Sequence, residues 1–318
     1  MKVSVLGCGR WGSFIAWYLN KTGHDTTLYG REDSAKMQEL LSVRSNKVLT
    51  LPETLKLTTE LSCVLDAEAV VISVPSQNLK YLVRELAELG VKNKIIVLAM
   101  KGIDTTLNKR LSEIASETLD KSNKIAVWLG PGHAQEFVKE LPNCMVIDSE
   151  DREVKERLIK EFSGELIRFY YGNDLLGNEI GAAAKNVIGI AAGVLDGMGY
   201  SSLKGALMSR GTHEIAKLIK AMGGNELSAY GLCHLGDYEA TVFSKYSHNR
   251  MFGESRITGE KFEGLAEGYY TVKALVALSK QYDVELPICE AVYDLLYNGM
   301  DPVQAINMLF TRKLTKEF

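Results

Sequence analysis

In the first half of the chain, apolar residues come in short runs separated by stretches where they recur every third or fourth position. The run at 1–6 breaks into glycines, and 13–21 then reads as an amphipathic helix ended by Gly23. A second short strand is predicted at 25–29. Further runs at 69–74, 94–100 and 125–129 each end in turn-forming residues, with charged helical stretches such as 79–89 and 107–119 between them. Strand and helix in alternation predict an α/β fold with a parallel, doubly wound sheet. Strand candidates at 144–148 and 166–171 extend that sheet.

Beyond Asn173 the pattern changes to helical spacing through 175–198, 203–222, 265–282, 291–297 and 302–309, with no further strand. Two domains are therefore expected, an α/β domain over 1–172 and an all-helical domain over 173–318, a division that suits a chain of 318 residues. The apolar stretch 180–195 is shorter than the roughly 20 residues that span a bilayer, and it contains Lys185 and Asn186. It reads as a buried helix, so no membrane span is expected.

The break after the first run is Gly7-Cys8-Gly9-Arg10-Trp11-Gly12, a G-x-G-x-x-G between strand and helix. Gly7 permits the turn, Gly9 lets backbone approach a pyrophosphate, and Gly12 lets the helix pack closely on the strand. An anion there meets helix N-terminal N–H groups, so the loop is a candidate NAD or NADP site. At the end of the next strand an acid would favour the ribose hydroxyl of NAD, whereas Arg31 comes first here and suits the extra phosphate of NADP. Glu32 and Asp33 follow closely and keep NAD open.

Composition narrows the class. Hydrophobic residues at 46% and charged residues at 24% describe a globular chain rather than a disordered one. A net charge of -3 and no basic run interleaved with aromatics argue against nucleic acid as a partner. Five scattered cysteines with no C-x-x-C pair suggest neither a disulfide framework nor a zinc site, which points to a reducing compartment. A strand and glycine loop stand where a signal peptide would, so a cytoplasmic location is expected.

Ligands of open α/β sheets gather at the carboxyl ends of the strands, where this chain puts Val74-Pro75-Ser76, Met100-Lys101-Gly102 and Gly130-Pro131-Gly132-His133-Ala134. Lys101 could meet a phosphate or polarise a carbonyl oxygen there, or be an ordinary surface lysine. His133 could act as a base, although a glycine-rich loop more often uses such a residue in its turn. In the second half, Lys185 lies in an apolar, small-residue helix beside Asn186. Burial there is costly unless the lysine is paired, and it would bring the ammonium toward acid–base chemistry. The other reading is a lysine snorkelling out of a core helix. Farther on, Asp237 with Thr241, and then Ser247-His248-Asn249-Arg250, form polar clusters suited to a small phosphorylated ligand or to ordinary helix caps. Metal ligation by His234, Asp237 and His248 fits no familiar spacing.

Taken together, these residues resemble the bacterial-type NAD(P)-dependent glycerol-3-phosphate dehydrogenases. The shared signals are Gly7, Gly9, Trp11 and Gly12, Lys101-Gly102, Gly130-Pro131 with Ala134 and Glu136, and Glu179 with Lys185-Asn186. They continue through Arg210-Gly211 with Glu214, Leu235-Gly236-Asp237 with Thr241, Ser247, Asn249 and Arg250, and Glu267-Gly268. The resemblance implies a Rossmann domain followed by a helical domain of the 6-phosphogluconate-dehydrogenase-like kind, with the site in the cleft between them. It further implies reduction of dihydroxyacetone phosphate to sn-glycerol 3-phosphate for phospholipid synthesis, with NADP preferred over NAD, and a possible homodimer. Lys185 would be the acid/base group, and Lys101 would contact cofactor and substrate. Asp237, Ser247 and Asn249 would bind substrate together with Gly130, Gly132, His248 and Arg250, while Arg10, Trp11, Arg31, Ala134 and Glu267 would join the three glycines at the dinucleotide.

The family usually has Ser-Arg-Asn where this chain has Ser247-His248-Asn249. Histidine lacks the bidentate guanidinium and is only partly charged at neutral pH. Either Arg250 substitutes, phosphate affinity is weaker, or the substrate differs. If His248 binds the phosphate, KM for the triose should rise with pH. The Gly132 loop and Tyr238-Glu239 also depart from the pattern and mark a divergent member. Two rival functions remain at this level: a 6-phosphogluconate-like or β-hydroxyacid dehydrogenase of the same fold acting on a carboxylate, and a non-catalytic NADP-binding sensor.

Overall fold

The structure is a computed structural model that describes residues 1–314, 316 and 317. The chain forms two compact units, one of Met1–Lys101 with Lys109–Glu179, the other of Gly102–Asn108 with the chain from Ile180 onward. The first unit contains, in order, β1 (Lys2–Leu6), α1 (Arg10–Lys21), β2 (Asp25–Tyr29), α2 (Ala35–Val43), β3 (Lys56–Thr58), β4 (Ala69–Ile72) and α3 (Leu79–Glu88). It continues with β5 (Ile95–Leu98), α4 (Leu111–Thr118), β6 (Lys124–Leu129), α5 (Ala134–Phe137), β7 (Asn143–Asp148), α6 (Arg152–Phe162) and β8 (Ile167–Tyr171).

All eight strands join one sheet in the order β3-β2-β1-β4-β5-β6-β7-β8. The chain winds outward from β1 to β3, then restarts at β4 on the other side of β1, which leaves a crevice where the two directions diverge. β4 (Ala-Val-Val-Ile) and β5 (Ile-Ile-Val-Leu) are buried throughout, as central strands covered on both faces require. The sheet departs from the all-parallel expectation in one place: β7 runs antiparallel to β6, pairing Val127 with Asp148 and Leu129 with Val146. The connection after β6 holds only the four-residue α5, too little for a helical crossover back to the start of the sheet, so the chain turns and returns. β8 then pairs parallel to β7 through the full crossover helix α6.

The second unit is helical: α7 (Leu175–Gly197, entering it at Ile180), α8 (Lys204–Ala221), α9 (His248–Thr258), α10 (Glu267–Gln281), α11 (Pro287–Tyr297) and α12 (Pro302–Thr311). α7 has 23 residues, longer than its apolar stretch suggests, and 83% of its most hydrophobic window is buried within the protein. It is a core helix. Gly189, Gly193 and Gly197 recur every fourth residue, so they fall on one face. Side chains there would strike Thr241, the Arg250 carbonyl and Ile257, while a side chain at Gly253 of α9 would strike the Ile190 carbonyl. α7 and α9 therefore touch nearly backbone to backbone, and this close approach fixes where the polar start of α9 lies.

Candidate active site

Each unit presents its own cluster of functional side chains. In the first, Gly7 has φ +115°, and a Cβ there would run into the Ser73 carbonyl at the end of β4. A Cβ at Gly12 would run into the Gly7 carbonyl. Both glycines are therefore required by the fold itself. Gly9 differs: its backbone is extended, with φ -70° and ψ 177°, and a Cβ there would meet no atom within 4 Å. Among the described residues no neighbour demands glycine at that position, whereas a pyrophosphate lying against the loop would. Gly9 also caps α1 without a side-chain hydrogen bond, and the first turn of α1 has no acid of its own, which leaves that helix end suited to an anion. The loop fits a dinucleotide. Trp11 stacks on Phe14 at 5.1 Å and lies 6.1 Å from Phe137 of α5, which fastens the helix start to the loop after β6.

Arg31 follows β2 with its side chain 75% exposed and its Nε 3.3 Å from Asp33. Such an exposed pair is weak, so a ligand phosphate can compete with Asp33 for it. Lys101 sits just beyond β5 and donates to the Gly130 carbonyl at 2.7 Å, linking two strand-end loops. Gly130 and Gly132 both take positive φ; a Cβ at Gly132 would enter the Phe137 ring. Ala134 begins α5 and is buried. Glu179, just before α7 enters the second unit, is buried and accepts from Ser112 N at 3.0 Å, Ser112 Oγ at 2.5 Å and Arg110 at 2.8 Å. Burial raises its pKa against those donors, and it serves to anchor α4.

In the second unit Lys185 is only 8% exposed and is held by paired groups, which rules out snorkelling. Its Nζ lies 2.9 Å from Asp237 Oδ2 and donates to Thr241 Oγ1 at 2.6 Å. The threonine hydroxyl donates in turn to the Asp237 carbonyl at 2.7 Å. The lysine thus meets one carboxylate and one hydroxyl whose own proton is committed elsewhere. Thr241 belongs to a π-turn over Glu239–Phe243, a geometry often found at functional sites.

The end of that turn is held by cations. Lys204 donates to the Val242 carbonyl at 3.1 Å and Arg250 Nε to the Ser244 carbonyl at 3.3 Å, while Asp196 joins both cations at 2.6 and 2.7 Å. Burial raises the pKa of Asp196, but hydrogen bonds from Lys204, Ser201 and Arg250 outweigh it and hold the carboxyl below its ordinary value. Arg250 also meets Glu254 at 3.0 Å. Arg250 is expected to bind substrate; within the chain its guanidinium meets two carboxylates and a carbonyl and so tethers the end of the turn.

Ser247 caps α9, its Oγ accepting from Arg250 N at 3.3 Å. Asn249 donates to Asn186 Oδ1 at 3.0 Å and accepts from Gly268 N at 2.9 Å, so it joins α7, α9 and the start of α10 beside Glu267. His248 is half-buried, its Nδ1 3.2 Å from the Leu265 carbonyl, its ring edge-on to Phe262.

Comparison with known proteins decides the family. The family profile described as the NAD-dependent glycerol-3-phosphate dehydrogenase N-terminus matches residues 2–155, and its C-terminal counterpart matches 174–307. This chain belongs to the NAD-dependent glycerol-3-phosphate dehydrogenase family. A Thermoanaerobacter relative, a glycerol-3-phosphate dehydrogenase (NAD(P)+), is 38% identical, covering 98% of this chain and 97% of its own length. A Chlorobium limicola relative of the same name is 36% identical over 100% of this chain and 99% of its own. The crystal structure of glycerol-3-phosphate dehydrogenase from Coxiella burnetii superposes with a TM-score of 0.91 at 28% identity, covering 98% of this chain and 99% of that one.

Within this member of the glycerol-3-phosphate dehydrogenase family, the structure gathers Lys185, Asp237 and Thr241 into one contact set, and next to Lys185 on α7 it joins Asn186 to Asn249 of α9. Glycines 7, 9 and 12 and Trp11 share the other unit with Arg31, Lys101, Gly130, Gly132 and Ala134. Sequence reasoning did not single out Asp196 and Lys204, because a carboxylate and a lysine eight residues apart look like surface charge. Nor did it find the contact partners of His234, whose side chain meets the Gly181 carbonyl and Tyr238. The glycine at 181, one turn before the lysine, was the available signal.

Proposed function

We infer that this chain interconverts dihydroxyacetone phosphate and sn-glycerol 3-phosphate by hydride transfer with NAD(P)H. The observation that carries the reading is a buried lysine held between a carboxylate and a hydroxyl, in a chain of the glycerol-3-phosphate dehydrogenase family. Bound NAD(P)H supplies the hydride that reaches the ketone carbon. As negative charge develops on the carbonyl oxygen, the Lys185 ammonium stabilises it and gives it a proton, so no free alkoxide forms in a site of low dielectric. Asp237 aims the ammonium at 2.9 Å, and Thr241 fixes its rotamer. In the reverse direction the amine takes the hydroxyl proton. A positioned acid of this kind is worth about 10²–10⁴-fold in rate.

In this reading the glycine loop with Arg10, Trp11, Ala134 and Glu267 binds the dinucleotide, and Arg31 favours NADP by meeting its 2′-phosphate. Lys101 adds fixed positive charge for cofactor and substrate. Gly130, Gly132, Ser247, His248 and Asn249 line the substrate region, and Arg250 acts indirectly by holding the π-turn. The product suits a role as the glycerol backbone of phospholipids, and the chain works as a soluble enzyme of the cytoplasm. Mixing the protein with NADPH and a panel of small ketones tests the activity: oxidation with dihydroxyacetone phosphate supports the reading, whereas tight NADPH binding without turnover points to a sensor. Replacing Arg31 by Ala should weaken NADPH binding and leave NADH binding unchanged.

A further inference from the structure

Next to the Lys185 centre lies a buried polar chain to which the reaction assigns no role. His234 and Tyr238 are fully buried in the second unit, ring centroids 4.9 Å apart. His234 Nδ1 lies 2.8 Å from the Gly181 carbonyl, and Tyr238 Oη lies 2.7 Å from Nε2. A carbonyl can only accept, so Nδ1 carries a hydrogen toward Gly181, while Nε2 faces the Tyr238 hydroxyl and the Gly211 carbonyl. Burial agrees with a neutral ring, pulling the His234 pKa down to about 4.

Gly181 is four residues before Lys185 on α7, so its carbonyl is the one that helix geometry pairs with the lysine's own N–H. The histidine therefore binds the same carbonyl that anchors the backbone of Lys185. Glycine is needed at 181, since a Cβ there would come within 3.0 Å of His234 Cβ. The backbone of His234 also reaches the lysine's other side, because its carbonyl accepts from Asp237 N at 3.0 Å. The bonds close a ring: His234 to Gly181, along α7 to Lys185, across to Asp237, and back to His234.

We propose that His234, supported by Tyr238, is a positioning residue that sets the separation between the Lys185 ammonium and Asp237 by tying the lysine's helical turn to the aspartate's loop. This rests on the inference that Lys185 is the acid/base group. It touches neither substrate nor cofactor; it acts through the lysine. Its loss should lower kcat while leaving NADPH affinity intact, because misplacement of a catalytic group by a fraction of an ångström costs rate before it costs binding.

Two amide variants separate this role from simple packing. His234→Asn keeps a donor where Nδ1 sits, whereas His234→Gln places its amide near Nε2 and leaves the Gly181 carbonyl without it. With active protein counted by NADPH titration, kcat for dihydroxyacetone phosphate should stay within about threefold for His234→Asn and fall about tenfold or more for His234→Gln, with KM for NADPH unchanged. Equal losses in the two variants, or full activity in His234→Gln, would overturn the proposal. If both fail to fold, nitrogen NMR of the wild-type protein decides it: the proposal requires a neutral His234 ring with hydrogen on Nδ1, and hydrogen on Nε2 alone, or on both nitrogens, overturns it. Lys185→Ala assayed in parallel keeps the two claims apart. If that variant stays active, the acid/base reading itself fails; if it is dead while His234→Gln is normal, only the positioning role fails.

Discussion

Substituting alanine at Gly9 and at Gly12 should give opposite results, although the two glycines are three residues apart in one loop. At Gly9 the backbone is already extended and a Cβ meets nothing within 4 Å. Removing glycine's freedom from the unfolded chain contributes about 0.4–1 kcal/mol, and the poorer helix cap costs a similar amount, so the net change lies within about 1 kcal/mol. The melting temperature should move by only a few degrees. Cofactor binding should suffer much more, because the new methyl occupies the space through which pyrophosphate oxygens reach the loop N–H groups. Losing one charge-assisted hydrogen bond costs about 1.5–3 kcal/mol, which is about a 10- to 100-fold rise in Kd for NADPH. At Gly12 the methyl collides with the Gly7 carbonyl and lies 3.3 Å from Ser73 Cβ, so α1 must shift and stability should drop by about 3 kcal/mol or more. NADPH titration by calorimetry and thermal melts of both variants check this. A Gly9→Ala protein that binds NADPH as tightly as wild type refutes the placement of pyrophosphate at Gly9.

Other consequences concern the helical unit. Burial pushes the Glu214 carboxyl up to about 7 even though it accepts from Ile288 N at 2.9 Å and Cys289 N at 3.1 Å at the start of α11. Its folded pKa exceeds its unfolded value, so the native state binds the extra proton and the stability it contributes is lost as pH rises from about 4.5 to about 7, by about 3 kcal/mol in all. The depressed pKa of His234 acts in the opposite direction over part of that window, so the difference between wild type and Glu214→Gln in urea melts at pH 5 and pH 7 isolates the carboxyl. Identical slopes would remove Glu214 as their source. Asp196→Asn removes the carboxylate partner of buried Lys204 and leaves Arg250 with Glu254 alone, and should cost about 3 kcal/mol in a denaturant melt. Gly193→Ala drives a methyl into the Arg250 carbonyl and should destabilise by about 1–3 kcal/mol or more; an unchanged melt would contradict the close contact of α7 with α9.

Much of the α/β half was legible because each central strand is a run of β-branched residues ending in a turn, and the glycine loop stands between strand and helix. β3 was not legible: Lys56–Thr58 is three residues long and forms only by pairing with β2. α9 escaped for a related reason. Its sequence, His-Asn-Arg-Met-Phe-Gly-Glu-Ser-Arg-Ile-Thr, shows no apolar stripe, and its position comes from the Ser247 cap and the glycine contact with α7. The reversal at β7 depends on the shortness of α5, which local pattern does not display. For the site, Lys185 stood out as a charge in an apolar helix and Asp237 as a carboxylate after Leu-Gly. Their 2.9 Å contact spans 52 residues of chain, and no spacing rule brings such groups together. Arg250 was legible as a cation but not as a tether, because its partner Asp196 lies on another helix.

The most direct measurement follows NADPH absorbance on addition of dihydroxyacetone phosphate, with wild-type protein and Lys185→Ala side by side. Rapid oxidation by wild type, with loss of turnover by about 10²-fold or more in the variant and unchanged NADPH binding, is the expected result. Turnover retained in Lys185→Ala, or no oxidation by a wild-type protein that binds NADPH tightly, would contradict the assignment of Lys185 as the proton donor in this reaction.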